Sequence, residues 1–511
     1  MYLAQSQVIQ FWRLSRYLLF AGAIFYIALY VALASARMQH PFELEWHEGL
    51  SVDKVNRILM GQPLYDRPSM SYTPLIYTPL YYYVSAGIAT LTGIGFLPLR
   101  LVSFAASLGC LAIIALWVKR YTGDVTAAIS AAGLFAATYR AGGAWLDIAR
   151  VDSLYLFLTL LAIFMLACYK SSRATALAGG IFALAFLTKQ TAMIIFLPIA
   201  LSVAITDWRR AIILGISYSL ILGAGVLLFN VLNNGWFIYF VFEVAPQQPV
   251  FPNLGLSHFW QHYIIQRVPI ALVLTFMMLV LLATTSPWRV TLFHGMAASG
   301  CIGSAWYVMS LGGAYDNDLL PAFAIMAVFT GMALSSLAAP GHLWEAILTP
   351  LVGAICCVAC LCQLALLRYD IQAQLPTQRD VAAGQQLIAT LSELPGDVLL
   401  PTHGYYTTLA GKRSYFHAST ISDVLNEKRR QLGPDLYREI HTAIQEHRFG
   451  AIIVEETWPP DRFNVDVYYT LHGTIFDDPS VFWTVTGART RPQFIYLPKE
   501  EAASSSISQT R

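Results

Sequence analysis

Blocks of apolar residues, about 14 to 22 residues long, recur along the first 367 residues, and the segments between them carry most of the charge. A helix that crosses a hydrocarbon core of ~30 Å needs about 20 such residues. Charged residues make up only 12% of the chain, against about 25% in soluble domains, so the chain cannot coat a water-exposed globule of this size. The sequence therefore predicts a polytopic, α-helical integral membrane protein.

We place eleven spans in this region. They are Tyr17–Ala36, Pro98–Val118, Val125–Ala141, Ser153–Tyr169, Ala174–Leu187, Thr191–Ile205, Ala211–Val231, Val268–Thr285, Val290–Met309, Leu319–Ser336 and Ala346–Leu367. Ala34 and Ala36 have the spacing of a signal-peptide cleavage site, but the apolar stretch before them exceeds the usual length of about 7–15 residues. We therefore expect an uncleaved first span.

Basic residues orient the spans, because loops rich in Lys and Arg stay in the cytoplasm. They fall in alternate loops, at Arg13 and Arg16, Lys119 and Arg120, Lys170 and Arg173, Arg209 and Arg210, and Arg289. We expect a cytoplasmic N-terminus and a C-terminal tail outside. The absence of Asn-x-Ser/Thr sites favours a prokaryotic source, and hence a bacterial inner membrane.

The apolar segment 80–96 would invert this pattern if it crossed the membrane. It opens with a tyrosine run and contains several Gly, Thr and Ser residues, so we predict an interfacial or re-entrant helix. Lys189 lies between spans five and six, where a turn at the outer face avoids the ~2.5–3.5 kcal/mol that a lysine costs at the bilayer centre.

Three regions extend beyond the spans. The first loop (37–97) and the second loop (232–267) are large, and the tail from residue 368 has soluble character. The strand-like runs 398–401 and 451–456 and a helical stretch over 423–447 predict a small α/β domain at 368–501. We expect the Ser-rich end, 502–511, to be disordered. The domain division is thus 1–367, 368–501 and 502–511.

Several functional classes are excluded by composition. The net charge is +2 and no polybasic segment is present, which argues against nucleic acid as a partner. All seven cysteines lie in apolar segments, and none of them has a ligand-like spacing with histidine. His258 and His262 have a spacing suited to a metal, but no third ligand is near them. We expect no cofactor and no metal, with a requirement for a divalent metal left open.

The first loop carries the densest polar signal. Glu43, Glu45 and Glu48 follow the first span directly, with His47 among them. Apolar residues at helical spacing over 48–60 predict an amphipathic helix that lies on the membrane and ends at Gly61. A carboxylate at the water–lipid boundary can deprotonate an acceptor hydroxyl, although acids also favour a helix N-terminus for electrostatic reasons.

This loop resembles that of the GT-C glycosyltransferases, the polyprenyl-phosphate-sugar-dependent group that includes protein O-mannosyltransferases and aminoarabinose transferases. In that group Asp-Glu follows the first span, a helix ends in Gly, a Tyr follows, and Lys-Pro-Pro-Leu-Tyr-Tyr comes later. The matching positions here are His47 and Glu48, Gly61, Tyr65, and the sequence Tyr-Thr-Pro-Leu-Tyr-Tyr at 77–82. The short motifs at 150–154, 187–189 and 317–321 also resemble family positions.

The resemblance implies a GT-C membrane module and a set of site residues. Because His47 replaces the family's Asp, the base is expected to be Glu45 or Glu48. The family's lysine is Tyr77 here, so the donor phosphate and lipid would be bound by Lys189, Arg150, Arg267, Tyr77 and Tyr81. Sugar or acceptor binding would involve His47, Asp152, Tyr315 and Asn317. Simpler interpretations stay open: an Arg150–Asp152 salt bridge, an ordinary turn lysine at Lys189, an aromatic belt of tyrosines and a polar turn at 315–318.

The function that the resemblance implies is transfer of a sugar from a polyprenyl-phosphate carrier to a hydroxyl of a glycan, lipid or protein, with inversion, on the outer face of the membrane. The alternatives are a lipid or sugar transporter, for example a flippase, and a non-catalytic membrane scaffold. A transporter should have repeat symmetry and broken helices at mid-membrane, and we find neither pattern in the sequence.

Overall fold

The computed structural model describes residues 2–337, 345–456 and 458–499. The segment 502–511, which the sequence predicts to be disordered, lies outside the described residues. The helices of the first 367 residues are α1 Tyr2–Met38, α2 Glu48–Leu59, α3 Leu80–Thr92, α4 Phe96–Thr122, α5 Val125–Ala137, α6 Asp152–Cys168, α7 Ser172–Thr188, α8 Ala192–Thr206, α9 Trp208–Leu232, α10 Trp236–Ile238, α11 Pro269–Thr285, α12 Trp288–Val308, α13 Leu320–Ser336 and α14 Glu345–Leu366.

Each of the eleven predicted spans coincides with one of these helices. Within the described residues, five helices are long and apolar enough to cross a membrane: Ser6–Met38, Phe96–Thr122, Trp208–Leu232, Asp316–Ser336 and Leu348–Leu366. A sixth results if Ser257–Ile265 and Pro269–Thr285, bent by 99°, count as one span. Four further apolar helices are shorter, at 10–17 residues. The count of eleven spans and their orientation stay predictions.

The helices pack closely where small residues meet. A Cβ at Gly133 of α5 would lie 2.3 Å from Cβ of Ala23 in α1, so the two backbones approach as small residues allow in membrane helices. α13 lies at the centre, with every side chain from Leu320 to Leu334 buried. Asp124 caps α5 by accepting a hydrogen bond from the backbone N–H of Ala127.

The first loop contains α2 and α3. α3 has 13 residues, or about 20 Å at ~1.5 Å per residue, the same length as α5, so its length alone does not separate an interfacial helix from a span. α2 matches the predicted amphipathic helix in position but not in environment. Val52 and Val55 are fully buried in a hydrophobic cluster with tail residues such as Tyr405. Helix α3 and the tail, not a membrane surface, cover the apolar face of α2.

The tail forms a mixed sheet with helices on both faces. Its elements are α15 Gln378–Glu393, β1 Val398–Leu399, α16 Tyr405–Leu409, α17 Ala418–Leu425, α18 Gly433–Gln445, β2 Ala451–Val454, α19 Val465–Tyr468, β3 Tyr469–Thr474 and β4 Phe494–Pro498. The strand order is β1-β2-β4-β3, in which β1 and β2 are parallel and the other pairs antiparallel. The predicted helix over 423–447 is two helices, α17 and α18, separated by residues 426–432.

Strand β2 is apolar throughout because both faces of the sheet are covered, and side chains alternate between the faces. Ile453 packs with α15 residues such as Leu387 and with Phe42 of the first loop. Ile452 packs on the opposite face with residues of α18 such as Ile440. The predicted strand runs are found at β1 and β2, although the division of the chain at residue 368 stays a prediction.

The second loop joins the tail through polar contacts. It contains α10 and two π-helical segments, Tyr239–Val244 and Leu254–Ile265. Glu243 forms an ion pair with Arg430 at 2.6 Å, and Gln248 donates a hydrogen bond to Asp423 at 2.8 Å. The tail therefore contacts both large loops.

Candidate active site

Glu45 and Arg150 form a buried ion pair between the first loop and the segment that links α5 to α6. Arg150 Nη1 lies 3.2 Å from Glu45 Oε2. The Glu45 side chain is 0% exposed and that of Arg150 is 6% exposed. The second oxygen, Glu45 Oε1, is buried without a hydrogen-bond partner. The pair therefore presents one carboxylate oxygen without a hydrogen bond beside a guanidinium.

Burial raises the pKa of Glu45 to about 7, because a carboxylate loses its hydration there. The Arg150 guanidinium opposes this rise by favouring the charged form. A carboxyl group whose pKa lies near neutral pH can accept a proton and release it again. Glu45 thus has the electrostatics expected of a general base.

Glu48 has no free acceptor site of this kind. Arg100 donates to both oxygens, at 3.0 and 2.6 Å. The backbone N–H of Leu44 donates to Oε2 at 2.6 Å, and that of Ala149 donates to Oε1 at 2.7 Å. These contacts lower the pKa of Glu48 despite its burial, with Arg100 as the largest lowering cause.

The two backbone contacts of Glu48 have a geometric consequence. Leu44 directly precedes Glu45, and Ala149 directly precedes Arg150. One carboxylate therefore holds the two chain segments at the register that brings Glu45 and Arg150 together. Glu48 acts on the ion pair by positioning it.

Tyr77 lies next to Arg150, whereas Tyr81 does not contact it. The Arg150 guanidinium lies 5.7 Å from the centre of the Tyr77 ring, and its Nη2 is 3.5 Å from the Tyr77 hydroxyl. Tyr81 is fully buried, and its hydroxyl is 2.8 Å from the carbonyl oxygen of Leu99 and 3.0 Å from Ser103 Oγ. The polar group of Tyr81 is therefore occupied within the protein.

Lys189 is buried between two carboxylates. Its Nζ lies 2.7 Å from Asp152 Oδ1 and 2.7 Å from Asp318 Oδ1. Asn317 donates to the same Asp152 oxygen at 2.9 Å. The two carboxylates raise the pKa of Lys189 against the opposing effect of burial. The position in a turn agrees with the sequence prediction, but the ammonium is enclosed instead of extending to the surface.

Trp145 connects this cluster to the Glu45–Arg150 pair. Its indole N–H donates to Asp152 Oδ2 at 2.9 Å, and the Arg150 guanidinium lies 5.4 Å from its ring centre. Tyr315 packs on the same indole, with ring centres 5.1 Å apart. Arg267 is displaced from this group and pairs with Asp316 at 2.9 Å.

His47 contacts residues of the tail. Its ring centre lies 4.9 Å from that of His417, and its Nε2 lies 2.9 Å from Ser419 Oγ. Its Nδ1 faces the first loop, 3.4 Å from Glu45 Oε1. Burial and the nearby cations Arg150 and Lys54 lower the pKa of His47 well below its usual value.

A second buried group links Glu43 to the tail. His403 Nδ1 forms a short contact with Glu43 Oε2, and its Nε2 lies 3.6 Å from Glu455 Oε1. The two carboxylates raise the pKa of His403 to about 10, whereas burial raises the pKa of Glu43 to about 7. His403 therefore carries a proton at neutral pH and compensates two buried acids.

Within the described part of the chain, no group of three or more His, Cys, Asp or Glu side chains has an arrangement that could hold a metal ion. The rings of His258 and His262 lie 4.6 Å apart. His262 Nδ1 contacts Gln266 Oε1 at 3.1 Å.

The fold has known counterparts. Residues 74–236 match the model of the dolichyl-phosphate-mannose-protein mannosyltransferase family. Two crystal structures of ArnT from Cupriavidus metallidurans, one bound to undecaprenyl phosphate and one in the apo state, superpose with a TM-score of 0.59 each. Each alignment covers 93% of this chain and 97% of ArnT at 11% sequence identity.

The chain has a GT-C fold. The resemblance to the GT-C glycosyltransferases is thereby confirmed. It extends from the membrane helices through the tail. No curated protein matches the sequence. At 11% sequence identity the similarity to ArnT establishes the architecture and not the roles of individual residues. Those roles are argued from the geometry of this GT-C chain itself.

Sequence reasoning anticipated most of the residues that this GT-C fold brings together. Glu45, Arg150 and Tyr77 meet at one point, and Asp152, Lys189 and Asn317 meet nearby. It missed Arg100, Trp145, His403, His417 and Ser419. Arg100 begins a predicted span, and a charge at that position in an apolar helix was a usable signal. The other four lie in segments without a distinctive pattern.

Proposed function

We propose that this protein is a membrane glycosyltransferase that moves a sugar from a polyprenyl-phosphate carrier to an acceptor hydroxyl on the outer face of the membrane. The observation that carries the proposal is the free, buried oxygen of Glu45 beside Arg150. The GT-C fold and the family match over residues 74–236 support it. The similar ArnT structure bound to undecaprenyl phosphate supports a carrier of the same kind.

Glu45 is the proposed general base. The acceptor oxygen attacks the anomeric carbon from the face opposite the phosphate, and the bond between that carbon and the phosphate oxygen breaks. The bonding electron pair leaves with the phosphate, while Glu45 Oε1 takes the acceptor proton. One displacement of this kind inverts the anomeric configuration.

Arg150 is the proposed cation for the departing phosphate. It is next to the base, and its ring contact with Tyr77 keeps it in place. Lys189 is enclosed between two carboxylates, and Arg267 pairs with Asp316 away from Glu45, so we assign both to the support of the site. Asp152 and Tyr315 contact Trp145, and Asn317 donates to Asp152. These three residues are proposed to contact the sugar or the acceptor.

The leaving phosphate is stable as an anion, so the reaction needs no general acid. Positioning, one base and preorganised positive charge then supply the catalysis. In this scheme Arg150 provides the charge, and we expect transfer to continue in the presence of EDTA. The sugar is a hexose or pentose, and the acceptor is a glycan, a lipid or a protein.

The test uses the purified full-length chain in vesicles that contain a panel of undecaprenyl-phosphate-linked hexoses and pentoses. Membrane lipids and envelope glycans serve as acceptors, and the release of undecaprenyl phosphate is measured. The wild type should release it with at least one donor, and Glu45→Gln should not. Glu393→Gln, an exposed position in α15, is the matched control.

The same experiment separates the rival functions. A transporter or flippase would move a fluorescent undecaprenyl-phosphate sugar across the vesicle membrane without releasing undecaprenyl phosphate. A scaffold would do neither. Either result in the wild type, across the whole donor panel, overturns the proposed function.

A further inference from the structure

A chain of hydrogen bonds connects His47 of the first loop to the tail. His47 Nε2 lies 2.9 Å from Ser419 Oγ. Ser419 Oγ lies 2.8 Å from His417 Nδ1, and His417 Nε2 lies 2.9 Å from the carbonyl oxygen of Thr402. Three of these four residues belong to the tail, so the tail supplies the partners of a residue that touches Glu45.

The direction of each hydrogen bond follows from the chemistry of its ends. A carbonyl oxygen only accepts, so His417 Nε2 carries the hydrogen that reaches Thr402. A backbone N–H only donates, and that of Ser419 points at His417 Nδ1 at 3.2 Å. His417 Nδ1 is therefore an acceptor. Both nitrogens of His417 therefore indicate the same neutral tautomer, with the hydrogen on Nε2.

The tautomer of His417 determines that of His47. Since His417 Nδ1 accepts, the Ser419 hydroxyl donates its one hydrogen to it. The Ser419 oxygen can then only accept from His47, so His47 Nε2 carries a hydrogen. In neutral imidazole one nitrogen is a donor and the other an acceptor. His47 Nδ1 is therefore the acceptor.

That acceptor faces the proposed base. His47 Nδ1 lies 3.4 Å from Glu45 Oε1, the oxygen without a hydrogen-bond partner. An ionised Glu45 offers no hydrogen to this contact, so two lone pairs oppose each other. Once Glu45 takes a proton, its carboxyl O–H faces an acceptor 3.4 Å away, and the two atoms need to approach by about 0.5 Å to form a hydrogen bond.

We propose that His47 accepts the proton that Glu45 collects, and that Ser419 and His417 of the tail are positioning residues that hold His47 in the tautomer this transfer needs. The inference rests on the proposed function. The O–H bond of Glu45 breaks, an N–H bond forms at His47 Nδ1, and the resulting imidazolium pairs with the regenerated carboxylate. The Nε2–H bond to Ser419 stays intact throughout.

His47 is also the path by which the proton leaves. Its side chain is 16% exposed, whereas that of Glu45 is 0% exposed, so in the protein without an acceptor the imidazole contacts solvent and the carboxylate does not. The charged groups around His47 come from three parts of the chain: Glu45 and Lys54 of the first loop, Arg150 of the α5–α6 segment and His403 of the tail. Three of these four carry or can carry positive charge, so the imidazolium releases its proton readily and the base is restored.

The tautomer is tested directly by nitrogen NMR on the full-length chain, labelled with 15N-histidine in lipid bilayers. Difference spectra with His47→Gln and His417→Gln assign the signals, and His472→Gln, at an exposed position in β3, serves as the control. We expect neutral His47 with its proton on Nε2 at pH 7.5. Ser419→Ala should produce a mixture of tautomers, and Ser419→Thr should retain the single one. A proton on Nδ1 in the wild type, or an unchanged tautomer in Ser419→Ala, overturns the proposal.

Proton transfer is tested by chemical rescue in the undecaprenyl phosphate release assay. His47→Gly should lower the rate by about 10²-fold, within the range for loss of a proton-transfer group, and added imidazole should restore it. Imidazole should not restore Glu45→Gln. If Glu45→Gln is inactive but His47→Gly keeps full activity, or imidazole fails to restore it, the role of His47 is wrong and the base assignment stands. If Glu45→Gln is fully active, the proposed function fails.

Discussion

Arg150 holds one oxygen of Glu45 and leaves the other free. Its Nη1 lies 3.2 Å from Oε2, and Oε1 is buried without a hydrogen-bond partner. A purely structural ion pair would be stabilised by satisfying both oxygens, as Arg100 and two backbone N–H groups do for Glu48. The contrast between these two glutamates, three residues apart, leads to the first prediction.

Glu45→Gln should mainly lower the transfer rate, whereas Glu48→Gln should mainly lower the stability of the fold. Glu45→Gln should lose about 10²–10⁴-fold in transfer rate, the usual contribution of a general base, and its melting temperature should fall less than that of Glu48→Gln, because Arg150 keeps its contacts with Tyr77. Glu48→Gln leaves the Arg100 charge buried without a counter-ion, which should cost about 3–5 kcal/mol of stability. Thermal unfolding and transfer rate, measured on both variants, check this. Equal melting temperatures for the two would contradict it.

The transfer rate should depend on the ionisation of Glu45. Burial raises its pKa to about 7, and only the ionised form accepts a proton, so the rate should rise with pH and reach half its plateau near pH 7. The Arg150 cation lowers this pKa, so Arg150→Gln should move the midpoint to higher pH. Arg267→Gln, whose charge pairs with Asp316, should not move it. A midpoint near the ordinary pKa of glutamate would contradict the assignment.

Gly487 of the tail packs directly on Glu45. A Cβ built there would lie 2.7 Å from Glu45 Cγ, and the backbone φ is +74°. Gly487→Ala should therefore displace the base in addition to straining the backbone, which costs of order 1–3 kcal/mol. Gly411 has the same φ of +74° with no atom within 4 Å, so Gly411→Ala is the control for strain alone. Transfer should fall in the first variant and persist in the second.

The stability of the tail's contact with the first loop should decrease as pH rises. The pKa of Glu43 is raised to about 7 and that of His403 to about 10, so the folded state binds more protons than the unfolded state. Stability is then lost with rising pH: the Glu43 contribution disappears as pH rises to about 7, and that of His403 as pH passes about 10. His403→Gln should lose about 3–5 kcal/mol at pH 7, because it leaves buried acids without a cation. Melting temperatures between pH 5 and 10 test this, and a flat profile for the wild type would contradict it.

Much of the fold follows from hydrophobic periodicity alone. The eleven apolar segments are helical, as expected for segments within lipid, where only helices satisfy every backbone hydrogen bond. The helix at 48–59 has a clear period. The environment of that helix was not predictable. Val52 and Val55 present the same stripe to a membrane or to a protein surface. The cluster that buries them combines first-loop residues such as Tyr81 with tail residues more than 300 positions later, such as Tyr405.

Part of the candidate site was predictable in its residues, but the pairing of those residues was not. The sequence gives no reason to prefer Glu45 or Glu48 as the base. Only the contacts with Arg150 and Arg100 distinguish the two residues. In the sequence Lys189 is a candidate cation for the phosphate. In the structure Asp152 and Asp318 lie on either side of its ammonium group. The contribution of His417 and Ser419 depends on a contact across some 370 residues, for which local sequence holds no signal.

The most direct test of the account is a cryo-electron microscopy structure of the full-length chain with undecaprenyl phosphate. We predict density for the phosphate within hydrogen-bonding distance of the Arg150 guanidinium, with Glu45 beside it and both on the outer side of the membrane. A phosphate bound at Lys189 or Arg267 and remote from Glu45, or at the cytoplasmic ends of the helices, would contradict the account.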